Sequence, residues 1–330
     1  MHRFVGLLSA GVALAFVLAA SPVLLKPAFR PALAQSAADG SWAMKKPLPA
    51  PRNEVQLAAV GGKIYVVGGS VAGEAVPQID EYDPASDSWR ALAPMPKGLD
   101  HLGVAVIGNT ITTVGGFIGS VHRGAVSDVY QYDVTSNSWK TLAPLKAPRG
   151  SVAVALLDGK IHAVGGRGVD NTFTVGTHEV FDPATGQWTE RAPLPLPRDH
   201  MALVTLDGKL HAIGGRTTNP ASRIAQHDVY DPKTDSWSSG PPLPTARSGL
   251  AYANLQGVAV VLGGELPPNT FAENEAYDAK SMTWRSFASM PAGRHGTGAA
   301  VIGKSLYLAA GSLKPGSGGV TDQLIVFTAP

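Results

Sequence analysis

Five arginines recur at one register of this 330-residue sequence. Arg52, Arg149, Arg198, Arg247 and Arg294 each stand eight positions before the last residue of a short apolar run, and Leu99 holds the sixth such place. A guanidinium is a planar fork of five N–H donors that grips a carboxylate through two of them. A ring of such groups could bind an anion. The same fork also ties loops to backbone carbonyls, and repetition favours that structural use, because a site needs asymmetry. The columns that follow are more varied. They read Asn53, Asp100, Gly150, Asp199, Ser248, His295, and then Glu54, His101, Ser151, His200, Gly249, Gly296.

A further column, after a repeated double glycine, reads Ser70, Phe117, Arg167, Arg216, Glu265 and Ser312. The repeat-specific departures Arg167, Arg216, Glu265, His101, His200 and His295 are therefore stronger binding candidates than the arginine column. Metal chemistry finds little support. His101, His200 and His295 come from alternate repeats and converge only loosely, with no carboxylate placed to complete a ligand set. Neither a metal nor a cofactor is expected. No glycine-rich phosphate loop and no Ser–His–Asp arrangement stands out. His162 and His211 fall where other repeats carry Tyr65 and Tyr307, which reads as packed core.

These columns are positioned by a repeat, seen most clearly at residues 206–247. Asp207-Gly208 is a tight-turn dipeptide between two apolar runs. Gly214-Gly215 ends the second run, Asp231-Pro232 stops a third, and a proline cluster ends a fourth that contains Trp237. Four short strands joined by turns make an antiparallel sheet too small to bury both its faces alone. Tryptophans at 42, 89, 139, 188, 237 and 284 repeat the unit at spacings of 47 to 50, and no tryptophan lies outside this position. An aromatic stands seven residues before five of them: Tyr82, Tyr132, Phe181, Tyr230 and Tyr277. A four-stranded unit at this period reads as the blade of an all-β propeller.

The double glycines, the aromatic-Asp-Pro turns (Tyr82-Asp83-Pro84, Phe181-Asp182-Pro183, Tyr230-Asp231-Pro232) and the tryptophan seven residues after each aromatic resemble the Kelch-repeat β-propellers. The resemblance covers residues 41–330. It implies fold more strongly than function, because propellers host enzymes and interaction modules alike. Galactose oxidase is a Kelch relative, but its copper chemistry needs a cysteine-modified tyrosine and this sequence has no cysteine. The Glu-x-x-x-Asp-x-x-x-His metal triad of plant specifier proteins is also absent. Gly263-Gly264-Glu265 resembles a segment of the sialic acid epimerases (mutarotases) of this fold, where Glu265 would be the acid–base group and an arginine would hold the sugar carboxylate. The long insertions of those enzymes are missing.

Closure of the ring can be located. The last repeat supplies strands at Gly298–Ile302, Ser305–Ala309 and Leu324–Thr328 and lacks a fourth. Residues 41–49 look like a fourth strand without the three before it, so they should complete the last of six blades. First strands such as Ala202–Leu206 are apolar at both parities, as expected where neighbouring blades cover both faces. The repeat tryptophans read as packing between blades.

Residues 1–34 read as an export signal: Arg3, an apolar run from Phe4 to Leu25, then Ala32-Leu33-Ala34 as the cleavage site. An uncleaved membrane anchor is the alternative. Residues 35–330 form the propeller, expected in the periplasm or secreted. Without residues 1–34 the formal charge moves from +2 to −1, because Arg3, Lys26 and Arg30 leave with them. A near-neutral domain has no global field for nucleic acid. The leading expectation is a binding propeller for a protein or glycan, an anionic ligand included, on the face carrying the arginines. A sugar mutarotase with Glu265 as catalytic residue is the alternative.

Overall fold

Each repeat folds as one antiparallel sheet of four strands, and six such sheets occur among the described residues. The first comprises Gln56–Val60, Lys63–Val67, Ile79–Asp83 and Ser88–Ala91; the fourth comprises Ala202–Leu206, Lys209–Ile213, His227–Asp231 and Ser236–Ser239. This is a computed structural model, and it describes residues 1–2, 39–119, 122–169, 173–219, 222 and 224–330. Nearly all of the segment read as an export signal lies outside the described residues. Among those described, no helix is long and apolar enough to cross a membrane.

The first strands of successive blades lie side by side, and that of the sixth neighbours that of the first, so the ring is closed. The chain ends make the closure. Ser41–Lys45 pairs antiparallel with Leu324–Thr328, with Ser41 opposite Thr328 and Lys45 opposite Leu324. This is the pairing expected from the sequence. The last blade's first strand starts at Ala299, one residue later than read.

The core lies between blades. Leu203 of the fourth blade packs with Ala153, Leu157 and Val164 of the third. Its chain neighbours Ala202 and Val204 pack with Ala259 and Val261 of the fifth. Side chains of a strand alternate between its two faces, and both faces here are covered. The doubly apolar first strands follow from that.

Two repeated devices fasten one blade to the next. Every tryptophan indole donates to a carbonyl of the preceding repeat, from Trp42 to Ala288 at 2.8 Å, Trp89 to Lys46 at 2.9 Å and Trp139 to Ala93 at 2.7 Å, and likewise onward. The double glycines work at the other end. The second glycine donates its backbone N–H to the arginine-column carbonyl of the following blade: Gly69 to Leu99, Gly116 to Arg149 and, across the closure, Gly311 to Arg52, each at 2.9–3.0 Å. The first glycine is left-handed there (Gly115, φ 60°), and a Cβ on it would stand 2.3 Å from the Arg149 carbonyl oxygen. A side chain is excluded by this approach as much as by the dihedral.

Candidate functional site

The arginine column does not face the opening. Arg149, Arg198, Arg247 and Arg294 are at most 1% exposed and Arg52 is 3% exposed. Each turns back into its own blade. Arg198 donates to Asp228 Oδ2 at 2.7 Å and to the carbonyls of Gly214 and Ala212 at 2.9 Å. Arg52 pairs with Asp80 at 2.6 Å, Arg149 with Glu179 and Arg247 with Glu275. The carboxylate comes from the second residue of the third strand each time. Burial pulls these guanidinium pKa values down, and the facing carboxylates oppose it. Arg294 has Gln323 instead, at 2.8 Å, and burial brings it to about 10. The expectation that Arg52, Arg149, Arg198, Arg247 and Arg294 present a ligand-binding ring is therefore corrected. Their terminal nitrogens are taken up by blade-internal acceptors, and none reaches the axial opening.

The next column stitches two connections together. Asn53, Asp100, Gly150, Asp199, Ser248 and His295 form isolated bridges with Ser70, Phe117, Arg167, Arg216, Glu265 and Ser312 respectively. The loop entering each blade thus lies beside the connection between its second and third strands, on one face of the ring. The third column has a left-handed backbone throughout: Glu54 (φ 54°), His101 (49°), Ser151 (50°), His200 (53°), Gly249 (70°) and Gly296 (62°). All six of these residues line one space at the axis. Non-glycine residues held left-handed are strained, and such strain gathers at functional sites.

At that axis a polar cluster closes on itself. His101 sits between two carboxylates, with Nε2 3.0 Å from Glu54 Oε2 and Nδ1 2.7 Å from Asp100 Oδ1. His200 Nδ1 faces Asp199 Oδ1 at 2.5 Å, so the hydrogen lies on Nδ1 and the Nε2 lone pair is left for Arg216, 2.9 Å away. Arg216 also donates to Glu265 Oε1 at 3.0 Å and reaches Asp199 at 3.3 Å. Arg167 donates to Asp199 Oδ2 at 2.9 Å. Glu265 Oε2 accepts from the Gly316 backbone N–H at 2.9 Å. His295 stands off from the other histidines, bonded to the Lys314 carbonyl at 3.0 Å and 3.5 Å from Glu265.

His122, from the connection over the second blade, completes the group. Its Nε2 is 3.3 Å from that of His200 and 3.4 Å from an Arg216 nitrogen. The rings of His101, His122 and His200 lie 4.5–5.2 Å apart, centroid to centroid.

The electrostatics separate these groups. Burial alone would lower the His101 pKa, but Glu54 and Asp100 overcome it and hold it at about 10. Burial would raise Glu54, and His101 keeps it well below the usual carboxylate range. Asp100 is raised by burial. His200 is driven well down by burial, then by Arg216 and His101. His122 is lowered by burial and by the cations around it. Near neutral pH one imidazolium thus stands beside two neutral imidazoles.

Of the expected residues, the fold brings together His101, His200, Arg216 and Glu265, with Arg167 behind Asp199 and His295 at the edge. The expectation that no carboxylate is placed beside these histidines is corrected: Glu54, Asp100, Asp199 and Glu265 all lie here. His162 and His211 are buried in the blades. Sequence reasoning missed His122, which has no counterpart in the repeat. It also passed over Glu54, although the variability of that third column (Glu, His, Ser, His, Gly, Gly) was the available signal.

A family profile described as "KLHDC2/KLHL20/DRC7 Kelch-repeats domain" matches residues 40–215, more than half of the chain. The chain belongs to the Kelch-repeat family. A second profile, "Kelch motif", matches residues 197–244 of this Kelch protein. The solved structure of YjhT aligns with a TM-score of 0.72 at 20% identity, covering 85% of this chain and 96% of that one. At that identity the likeness speaks for the six-bladed fold alone. A search of curated protein sequences found no match. Kelch propellers are commonly protein-interaction modules and mostly not enzymes.

Proposed function

We propose that this Kelch propeller is an exported binding module that receives a protein segment or a glycan on the face carrying the axial cluster. The observation that carries this is the placement of its exposed apolar side chains. Among the described residues, five of the nine large hydrophobic side chains left exposed are Val71, Ile118, Val169, Phe173 and Val320. All five lie on connections between second and third strands, which surround the cluster. Phe173 is 69% exposed. Scattered exposed apolar residues are ordinary, whereas their concentration on one face around polar groups is how binding surfaces are built. Arg167 and Arg216 already have carboxylate partners, so the reading does not require an anionic ligand.

The test is a screen of the wild-type protein against glycan and peptide arrays, with uronic and sialic acids included, followed by calorimetry on the hits. Phe173→Ser should weaken a true ligand by about 2 kcal/mol, roughly thirtyfold, and leave the melting temperature unchanged. Arg216→Ala should weaken it as well. Hits indifferent to both substitutions would move the ligand to another face.

One arrangement favours a second reading, the sugar mutarotase. Glu265 and the His200 lone pair flank Arg216, so a general acid–base group and a cation stand within one cluster. Anomer exchange of sialic acid, followed by NMR, should then be accelerated by wild type and not by Glu265→Gln. No acceleration by wild type removes this reading.

A further inference from the structure

The three axial histidines share a geometry that neither ligand reading requires. His101 and His200 each follow an aspartate in sequence, and each directs Nδ1 at that aspartate, at 2.7 and 2.5 Å. This leaves the Nε2 atom of each ring clear of its aspartate. Histidines that bind metal almost always give the other ring nitrogen to a carboxylate in this way, which fixes the tautomer and raises ligand basicity. His122 brings a third Nε2 from a different element, and one nitrogen from each of the three rings falls within 4.8 Å of the others. The His122–His200 separation of 3.3 Å is close to the edge of a tetrahedron with metal–nitrogen bonds of about 2.0–2.1 Å. Glu54 Oε2 lies 3.0 Å from His101 Nε2, beside the three-histidine group.

We propose that His101, His122 and His200 form a three-histidine site, with water as the fourth ligand, for a divalent metal of the zinc class. On binding, His101 releases its Nε2 proton to solvent. Arg216 withdraws from His200 Nε2 and keeps Asp199 and Glu265 as partners. The donor set, three imidazoles with an open fourth position, suits zinc and its cobalt(II) substitute. His295, the third histidine of the loose set weighed and set aside from sequence, is not a ligand. His122 takes its place.

The test uses the whole propeller, stripped with chelator and titrated with Co²⁺ and then Zn²⁺, with no other ligand present. Failure would therefore leave the binding reading on Phe173 standing. Wild type should take up one equivalent of Co²⁺ with the visible band of a four-coordinate ion, lose the band to Zn²⁺, and melt at a higher temperature when Zn²⁺ is bound. His122→Ala touches only a connection between strands and should fold normally while losing the band. His200→Gln gives a second route to the same loss. Near-ultraviolet circular dichroism without metal checks that each variant is folded. Absence of the band and of the Zn²⁺ stabilisation in wild type would overturn the site, as would an undiminished band in both folded histidine variants.

Discussion

A buried guanidinium is costly unless its donors are matched, and removing its partner costs more than the pair is worth. Arg198 meets that demand with Asp228 and backbone carbonyls. The second blade shows the alternative, since Leu99 stands in the arginine column and Tyr130 in the carboxylate position, both buried in one apolar cluster. Arg198→Leu should therefore destabilise by about 3–5 kcal/mol, the cost of stranding a buried charge. Arg198→Leu combined with Asp228→Tyr, which transplants the second blade's pair, should lose less than the single change in urea melts. A double variant no better than the single would show that the two positions are not coupled. A second residue-scale prediction concerns pH. His162 Nδ1 bonds to His178 Nε2 at 2.9 Å, and His211 Nδ1 bonds to His227 Nε2 at 2.9 Å. Burial lowers all four, to about 3 for His162 and about 4 for His178 and His211. Folded-state values below the ordinary 6.5 mean that the unfolded chain takes up protons first as pH falls. Their contribution is complete above about pH 6.5 and is lost toward pH 4, at about 1.4 kcal/mol per pH unit for each histidine that stays neutral. Thermal melts at pH 7 and pH 5 should differ, with the lower temperature at pH 5. Equal melting temperatures would contradict the buried neutral pairs.

At the scale of elements, the strands were legible because their punctuation repeats. Asp207-Gly208, Gly214-Gly215 and Asp231-Pro232 each have counterparts in other repeats, so one copy corrects another. The site was only half legible. His101 and His200 stand out against their column, but which column faces the axis depends on a left-handed residue at each blade entry, and residue type signals that only at Gly249 and Gly296. His122 sits on a connection that no other repeat matches, so no register could place it. The arginines misled for a physical reason: a repeated charge reads like a surface ring, and the acids that consume it lie 28–30 residues downstream. Closure gives this scale its prediction. Trp42 packs on Phe327 at 5.1 Å between ring centroids and donates to the Ala288 carbonyl. Trp42→Ala should cost about 3 kcal/mol and visibly lower the melting temperature, whereas Trp42→Phe should lose less. A melting temperature unchanged by Trp42→Ala would mean that the ring's closure does not depend on this clasp.

For the whole molecule, the proposed export has the most direct measurement. If Ala32-Leu33-Ala34 is cleaved, intact mass of the extracytoplasmic protein should correspond to a chain starting at Gln35; a mass retaining residues 1–34 would make the propeller membrane-anchored. The manner of ring closure also bears on the order of events during synthesis. Ser41–Lys45 emerges among the first propeller residues, yet its partner Leu324–Thr328 is among the last. Until then five blades can assemble while the sixth has only its first two strands, and strand edges stand open to any other chain. Lys45 and Lys46, beside that waiting strand, are charges of the kind that keep open edges apart. A chain cut short before residue 324 would therefore hold an open ring, with two strand edges exposed to misassembly.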